Sequence, residues 1–555
     1  MLAPKDGRRQ ATGEDRTDGG NRMIRGSMQD WPLLVGSIMD HAERVHGTRE
    51  VISRSVEGPI HRTNYAEVAR RSRQCAAALQ RLGIGPEDRV ATLAWNTWRH
   101  LEVWYGITHI GAVYHTLNPR LFDEQLAWII NDADDRVLLA DLTFVPILER
   151  LYDSCLKGRT LVILTDRAHM PESSLDLLCY EDLLAAERND LPRADLPENA
   201  PCGLCYTSGT TGNPKGVLYS HRSTVLHAVL TNGADQLGLS SRDSMLPIVP
   251  MFHANAWGIA FSAPMAGAKL VLPGALMDAE SICTLMSDEG VTFAAAVPTV
   301  WIDAIARLRE KGTGLLKRVV IGGAAVPRWM AEALYDLGIS LSQGWGMTEM
   351  SPLGTMTVRR PGMEDMPREE WIDYTIRQGV PFYGVEVRIA DDEGHSLPHD
   401  GETSGRIMVR GPACVGEYFN GAGGNILDED GWFETGDVGT IGQWSYVSLT
   451  DRSKDVIKSG GEWISSVTLE NEAASHPGVR EAAAIGVPDA KWSERPLLVV
   501  VRKDGCTVGP ADITEWLSSR VAKWWIPERI EFVDALPHTA TGKLDKKVLR
   551  QRFTG

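Results

Sequence analysis

From Leu33 onward, segments with apolar residues at helical spacing alternate with short apolar runs: Val51-Ile52, Arg89–Leu93, Gly111–Tyr114, Val137–Ala140, Leu161–Thr165, Lys269–Leu272 and Lys317–Ile321. Short runs of this kind between turn residues read as buried strands. Helix-then-strand alternation over hundreds of residues predicts α/β layers around largely parallel sheets. After about residue 380 the texture changes to closely spaced short strands with Gly between them, Val385–Ile389, Gly405–Val409, Trp432-Phe433 and Tyr446–Leu449, which predicts a smaller β-rich subdomain. Asp451-Arg452-Ser453-Lys454-Asp455 is a charged break. Beyond it Glu481–Val487, Pro496–Val501, Asp512–Val521 and Ile530–Val533 carry an α/β pattern of their own, enough for a separate small domain.

Composition narrows the function classes. The chain has 555 residues, 43% apolar and 23% charged, the ordinary range for a soluble globular protein with a large core. A net charge of −16 sets the surface against phosphate backbones and anionic headgroups, so neither nucleic acid nor a membrane is an expected partner. The eight cysteines are scattered, which points to a reducing, cytoplasmic compartment, and the Cys202/Cys205 pair has no second pair or nearby His to complete a zinc set. Ser244 to Ala268 carries no formal charge, but Pro247, Pro250, His253, Asn255 and Pro264 interrupt it. It therefore reads as the lining of an interior pocket and not as a membrane helix. Residues 1–27, rich in Gly and mixed charge, read as a disordered tail.

The most informative segment is Tyr206-Thr207-Ser208-Gly209-Thr210-Thr211-Gly212-Asn213-Pro214-Lys215-Gly216. Its glycines, small hydroxyl side chains and single lysine offer the backbone N–H groups, hydroxyl donors and cation that a polyphosphate requires. It is not a Walker loop, because Lys215 is followed by Gly216 where that motif has Ser or Thr.

This loop resembles the signature of the adenylate-forming superfamily of acyl-CoA synthetases, luciferases and peptide-synthetase adenylation domains. Further motifs match in order: Gly344-Trp345-Gly346-Met347-Thr348-Glu349, Trp432-Phe433-Glu434-Thr435-Gly436-Asp437, the family's hinge at Asp451–Lys454, and Pro537–Lys543. Within the superfamily, Pro250–Trp257, Lys458–Ser466 and Lys491–Pro496 are similar to the bacterial medium- and long-chain fatty acyl-CoA synthetases, and methylthiopropionate-CoA ligases share these signatures. The resemblance implies a large N-terminal domain at 28–450, with two parallel-type sheets plus the β-rich subdomain. A hinge at 451–455 and a small, mobile α+β domain at 456–555 follow.

A carboxylate is a poor electrophile, so the implied chemistry is attack on the α-phosphate of ATP to give acyl-AMP and pyrophosphate, then attack by the thiol of coenzyme A. Both steps develop oxyanion charge that needs preplaced donors. By resemblance, Thr207–Gly212 and Lys215 hold the β- and γ-phosphates, Thr348 contacts the α-phosphate, and Glu349 with Thr207 positions Mg²⁺. Asp437 accepts from the ribose hydroxyls, and Arg452 faces the nucleotide. Gly322-Gly323-Ala324-Ala325 and Gly346 let backbone approach the adenine, on which Trp345 stacks. The family usually has Tyr at this position, so stacking survives while a phenolic hydrogen bond is lost.

By the same resemblance, Lys543 matches the lysine that reaches the site during adenylation, and Lys458 the face that meets the CoA thiol. On the acid side, the resemblance implies a carboxylate or thioester role for His253 and a gate at Trp257, with Val297, Gly322 and Met347 beside them. The expected enzyme is a cytoplasmic acyl-CoA synthetase acting on a medium- or long-chain fatty acid, homodimeric as its relatives are. The alternative is a ligase for a short thioether acid such as methylthiopropionate, or for an arylalkanoic acid.

Overall fold

The computed structural model describes residues 26–207, 213–452, 454–459, 462–489, 491–538 and 544–554. Residues 33–555 gather into one compact unit. Those described before Leu33 form neither helix nor strand, and the rest of the tail expected at 1–27 lies outside the described residues.

The described residues build four sheets, and the expected runs supply them. One has seven strands in the spatial order Leu177–Cys179, Thr160–Ile163, Val137–Ala140, Arg89–Leu93, Val113–Thr116, Pro201–Tyr206 and Gly216–Ser220. Its pairs are parallel except for the last, where Tyr206 faces Gly216 across an antiparallel register, so the phosphate-type loop is the connection between two neighbouring strands. A second sheet has nine strands, ordered Val380–Pro381, Leu353–Met356, Ser340–Gly346, Arg318–Gly322, Phe293–Ala296, Ser244–Pro247, Lys269–Leu272, Glu50–Arg54 and Ile60–Asn64. Its centre is parallel. Strand runs such as Val137–Ala140 and Phe293–Ala296 are buried at every position, as covered parallel sheets require.

Helix Trp98–His109 is buried along its whole length although it carries Arg99, His100, Glu102 and His109. Pairing makes this tolerable: Arg71 bonds Glu102 at 2.7 Å, and Arg99 bonds Glu57 at 2.6 Å and Glu181 at 2.8 Å. Cys202 and Cys205 sit buried in strand Pro201–Tyr206, where burial pushes the Cys202 thiol up to about 12. They are strand residues, as the lack of a second ligand pair implied.

The β-rich subdomain is a four-stranded antiparallel sheet of Glu386–Ala390, Gly405–Arg410, Phe433–Ile441 and Val447–Arg452. Here two expectations change. The strand begun at Phe433 continues to Ile441, with a register shift at Val438/Gly439, because the glycines that hid it from the pattern are accommodated in the ladder. The charged run at 451–455 is no bare linker either. Asp451 and Arg452 end a strand, paired with Val438 and Asp437, and Asp451 is buried.

Beyond it, Glu462–Ile464, Ile457–Ser459, Ser493–Arg502, Val479–Asp489 and Arg529–Phe532 make a five-stranded sheet with its own core, flanked by helices Ser466–Ala474, Pro510–Ser518 and Lys546–Thr554.

Candidate functional site

Three neighbouring parallel strands, Phe293–Ala296, Arg318–Gly322 and Ser340–Gly346, end at the same edge of the nine-stranded sheet. Crevices at the carboxyl ends of parallel strands are where such folds bind ligands. At that edge lies a cavity of about 400 Å³, lined on this side by Gly323, Ala324, Gln343, Trp345, Gly346 and Asp437, and on the other by Lys454, Glu481, His538, Leu544 and Lys546.

Asp437 is almost fully buried, and both of its oxygens are engaged: Arg452 Nε lies 2.7 Å from Oδ1, and Trp345 Nε1 donates to Oδ2 at 2.9 Å. The strand register that pairs Asp437 with Arg452 brings the first contact about. The second is a contact sequence alone did not suggest: the phenol of the family's usual Tyr is absent, and the indole N–H gives Asp437 a donor of its own. Arg452 is directed to Asp437 in this structure, and each carboxylate oxygen retains a second lone pair for a ligand hydroxyl.

The Thr348-Glu349 turn is held from several sides. Tyr219 Oη donates to the Thr348 carbonyl at 2.8 Å, Tyr418 Oη donates to Glu349 Oε1 at 2.7 Å, and Val415 N–H donates to the Glu349 carbonyl at 2.7 Å. Burial first, then the Glu349 charge, pushes the Tyr418 phenol up, so it stays a donor. Lys215 Nζ stands 4.8 Å from the centre of the Tyr418 ring, which links the lysine of the phosphate-type loop to the Glu349 carboxylate. His227 Nε2 accepts the Leu353 N–H at 3.0 Å behind the same turn, and burial lowers this histidine to about 3, leaving it neutral.

Tyr219, Tyr418, Gln343 and His227 escaped sequence reasoning. Their partners are distant in the chain, and no spacing signal marks them. Gln343 is buried with Oε1 unpartnered at the cavity wall.

On the expected acid side, Ala254, Asn255, Ala256 and Trp257 are consecutively left-handed, with φ of 45°, 54°, 49° and 56°. Left-handed helical backbone costs roughly 1–2 kcal/mol per residue without Gly, and strain of this kind gathers at working sites. The turn carries the buried Trp257 indole to Gly322, where a Cβ would lie 3.3 Å from its Cη2 and 2.6 Å from the Gly344 carbonyl. A side chain at Gly322 is therefore excluded by protein neighbours, and Gly323 and Ala324 border the cavity. His253, Val297 and Met347 are half-buried.

Thr207 N–H closes the phosphate-type loop on the Lys215 carbonyl at 2.9 Å, while Ser208, Gly209, Thr210, Thr211 and Gly212 lie outside the described residues. So does Lys543. Its neighbours His538 and Leu544 form a bridge and both line the cavity. Lys458 is exposed on strand Ile457–Ser459 and is not among the lining residues. For a divalent cation, Glu349 offers its second carboxylate oxygen, a sparse donor that suits Mg²⁺ completed by phosphate oxygens and water. The triads of potential metal ligands among the described residues, Glu57/Asp166/His169 and Asp391/Glu393/His395, do not include Glu349.

The AMP-binding enzyme family profile matches residues 39–419, and the profile of the AMP-binding enzyme C-terminal domain matches 468–543. The chain belongs to the AMP-binding enzyme family. It is 46% identical to the 3-methylmercaptopropionyl-CoA ligase of Ruegeria lacuscaerulensis, over 95% of this chain and 98% of that protein. It is 44% identical to the medium-chain-fatty-acid–CoA ligase of Ectopseudomonas oleovorans, over 95% and 97%. Among solved structures, the anthranilate CoA ligase AuaEII in complex with anthranoyl-AMP superposes with a TM-score of 0.84 at 26% identity, covering 94% of this chain and 98% of that one. This AMP-binding enzyme is an AMP-forming acid–thiol ligase that uses ATP and Mg²⁺ to convert a carboxylic acid to its adenylate and then to a CoA thioester.

Proposed function

We propose that the acid is an aliphatic monocarboxylic acid of medium to long chain, activated in the cavity where Trp345, Asp437 and the Gly323-Ala324 backbone meet. The observation that carries the nucleotide assignment is the buried Asp437 carboxylate, oriented by Trp345 and Arg452 at the carboxyl ends of the parallel strands.

In this reading Asp437 accepts from the ribose, Trp345 stacks on the adenine, and Thr207–Gly212 with Lys215 hold the terminal phosphates. Thr348 contacts the α-phosphate, and Glu349 with Thr207 would hold Mg²⁺, which supplies charge neutralisation on the phosphates. Lys543 stabilises the charge that develops at the α-phosphorus. The domain at 456–555 then turns about 451–455 to bring Lys458 and its neighbours to the CoA thiol. His253 faces the acid carboxylate, and the small side chains of Ala294, Ala295 and Ala296 beside Val297 leave room for methylenes.

A second reading, a short thioether acid, is favoured by the 46% identity to 3-methylmercaptopropionyl-CoA ligase and by the Trp257 indole lying against Gly322. CoA ligation across straight-chain, thioether and aryl acids tests both. Each buried methylene contributes roughly 0.8 kcal/mol, about fourfold in affinity, so KM falls stepwise with chain length if the first reading holds. Activity confined to acids of four carbons or fewer and their thioether analogues selects the second. No helix among the described residues is long and apolar enough to cross a membrane. The scattered reduced cysteines support a cytoplasmic location, and pairing of two copies through the N-terminal region is proposed from the family resemblance.

A further inference from the structure

The C-terminal helix Lys546–Thr554 carries Lys546 and Arg550 four residues apart, hence on one face. Both turn toward the segment that joins the β-rich subdomain to the last sheet. Lys546 Nζ is 2.8 Å from Glu470 Oε1, bonds Ser466 Oγ, and is attracted by Asp451 and Asp455. Arg550 pairs with Asp455 at 2.6 Å and reaches the Lys454 carbonyl.

Across the same seam, Ser466 N–H donates to Asp451 Oδ2 at 2.7 Å and Ser465 Oγ bonds the Thr450 carbonyl. Lys546, Glu470 and Asp455 are each about nine-tenths buried, and Asp451 more so. One buried ammonium therefore neutralises carboxylates from both sides of the junction. Asp451 belongs to the subdomain sheet, while Glu470 and Lys546 belong to the last domain. Any rotation about 451–455 has to part Asp451 from Ser466 and Lys546, whereas the Lys546–Glu470 pair travels intact. In the present arrangement His538 and Leu544, which flank the segment containing Lys543, border the nucleotide cavity, and Lys458 does not.

We propose that Lys546 is a positioning residue, a latch that holds the last domain against Asp451 in the arrangement suited to adenylation and so sets the fraction of molecules ready for that half-reaction. This rests on the two-step ligase reading above. Without the ammonium, Asp451 and Glu470 are left as uncompensated buried carboxylates facing one another, and the seam is the contact that opens to relieve them.

The test uses the full-length enzyme and two readouts. Hydrogen exchange at the Ser466 amide reports the seam without reference to activity. Single-turnover formation of acyl-AMP from ATP and acid, and of acyl-CoA from supplied acyl-AMP, separates the half-reactions. Lys546→Met is expected to speed Ser466 exchange and to slow acyl-AMP formation by about tenfold or more, with thioester formation unchanged, while Lys546→Arg restores both.

Should Lys546→Met fail to fold, Ser466→Pro removes the N–H given to Asp451 at the first helical position, where Pro is tolerated, and is expected to shift the half-reaction ratio in the same direction. Unchanged Ser466 protection in Lys546→Met, equal loss in both half-reactions, or an unaltered ratio in Ser466→Pro overturns the latch. A wild-type enzyme that forms acyl-AMP with none of the acids overturns the ligase reading instead, and the exchange measurement still reads the latch.

Discussion

On one side of the cavity, Trp345, Gln343 and Asp437 stand on strands of two sheets, and the Trp345–Asp437 hydrogen bond is set by ladder register and a continuous apolar core. On the other side, Lys454 comes from the joining segment and Glu481, His538 and Lys546 from a smaller domain, and the junction is closed by ion pairs and two serine contacts. The first wall is preorganised. Its donors are fixed before the ligand arrives, which is what transition-state stabilisation needs. The second is held by interactions that can part without unfolding either core, which is what a surface used in only one of two steps needs. The strained left-handed turn at 254–257 is likewise buried on the large-domain side, where surrounding structure is dense enough to hold it.

The largest expected effect concerns acid. His100 and His221 are lowered to about 4 and His227 to about 3, chiefly by burial, and all three stand on helices, Trp98–His109 and His221–Thr231, of the large N-terminal part. Because the unfolded chain binds protons below its ordinary histidine value and the fold refuses them, the share of stability these histidines carry is full above about pH 6.5 and is lost as pH drops toward 4. Glu102 and Asp141, pushed up to about 7 by burial, act in the opposite direction. The slope is roughly 1.4 kcal/mol per pH unit for each such proton. Denaturation midpoints at pH 7, 6 and 5 check this, and His227→Gln is expected to flatten the dependence by one proton. The same pH dependence in wild type and His227→Gln would remove the part assigned to His227.

Lys543→Ala is expected to cut acyl-AMP formation by about 10²–10³ while sparing thioester formation from supplied acyl-AMP. Equal losses would mean that the second wall serves both steps alike. Asp437→Ala, in the fixed wall, is expected to raise KM for ATP about ten- to a hundredfold, the worth of hydrogen bonds to a charged group, as read from initial rates at saturating acid. Lys458→Ala is expected to do the converse of Lys543→Ala, slowing thioester formation about tenfold with acyl-AMP formation intact in single turnovers. The smallest change comes from Trp345→Phe, which keeps the ring and loses the N–H to Asp437. About 1 kcal/mol, or fivefold in KM for ATP, is expected.

Much of this molecule is written locally. Arg89–Leu93, Val137–Ala140 and Lys269–Leu272 are strands with the bounds that the apolar pattern predicts, because a run buried on both faces declares itself by composition alone. The phosphate-type loop and the Thr348-Glu349 and Asp437 motifs stand out in the sequence because each is a run of residues adjacent in the chain.

What only the tertiary structure decided lies between distant residues. Tyr418 meets Glu349 across 69 positions, and Trp345 meets Asp437 across 92. The burial of Arg71 and Arg99 with three glutamates, the need for Gly322 beneath the Trp257 indole, and the passage of Asp451 from charged break to buried strand end share that origin. A side chain's partner across a sheet edge is set by register and layer packing, and neither leaves a period in the local sequence.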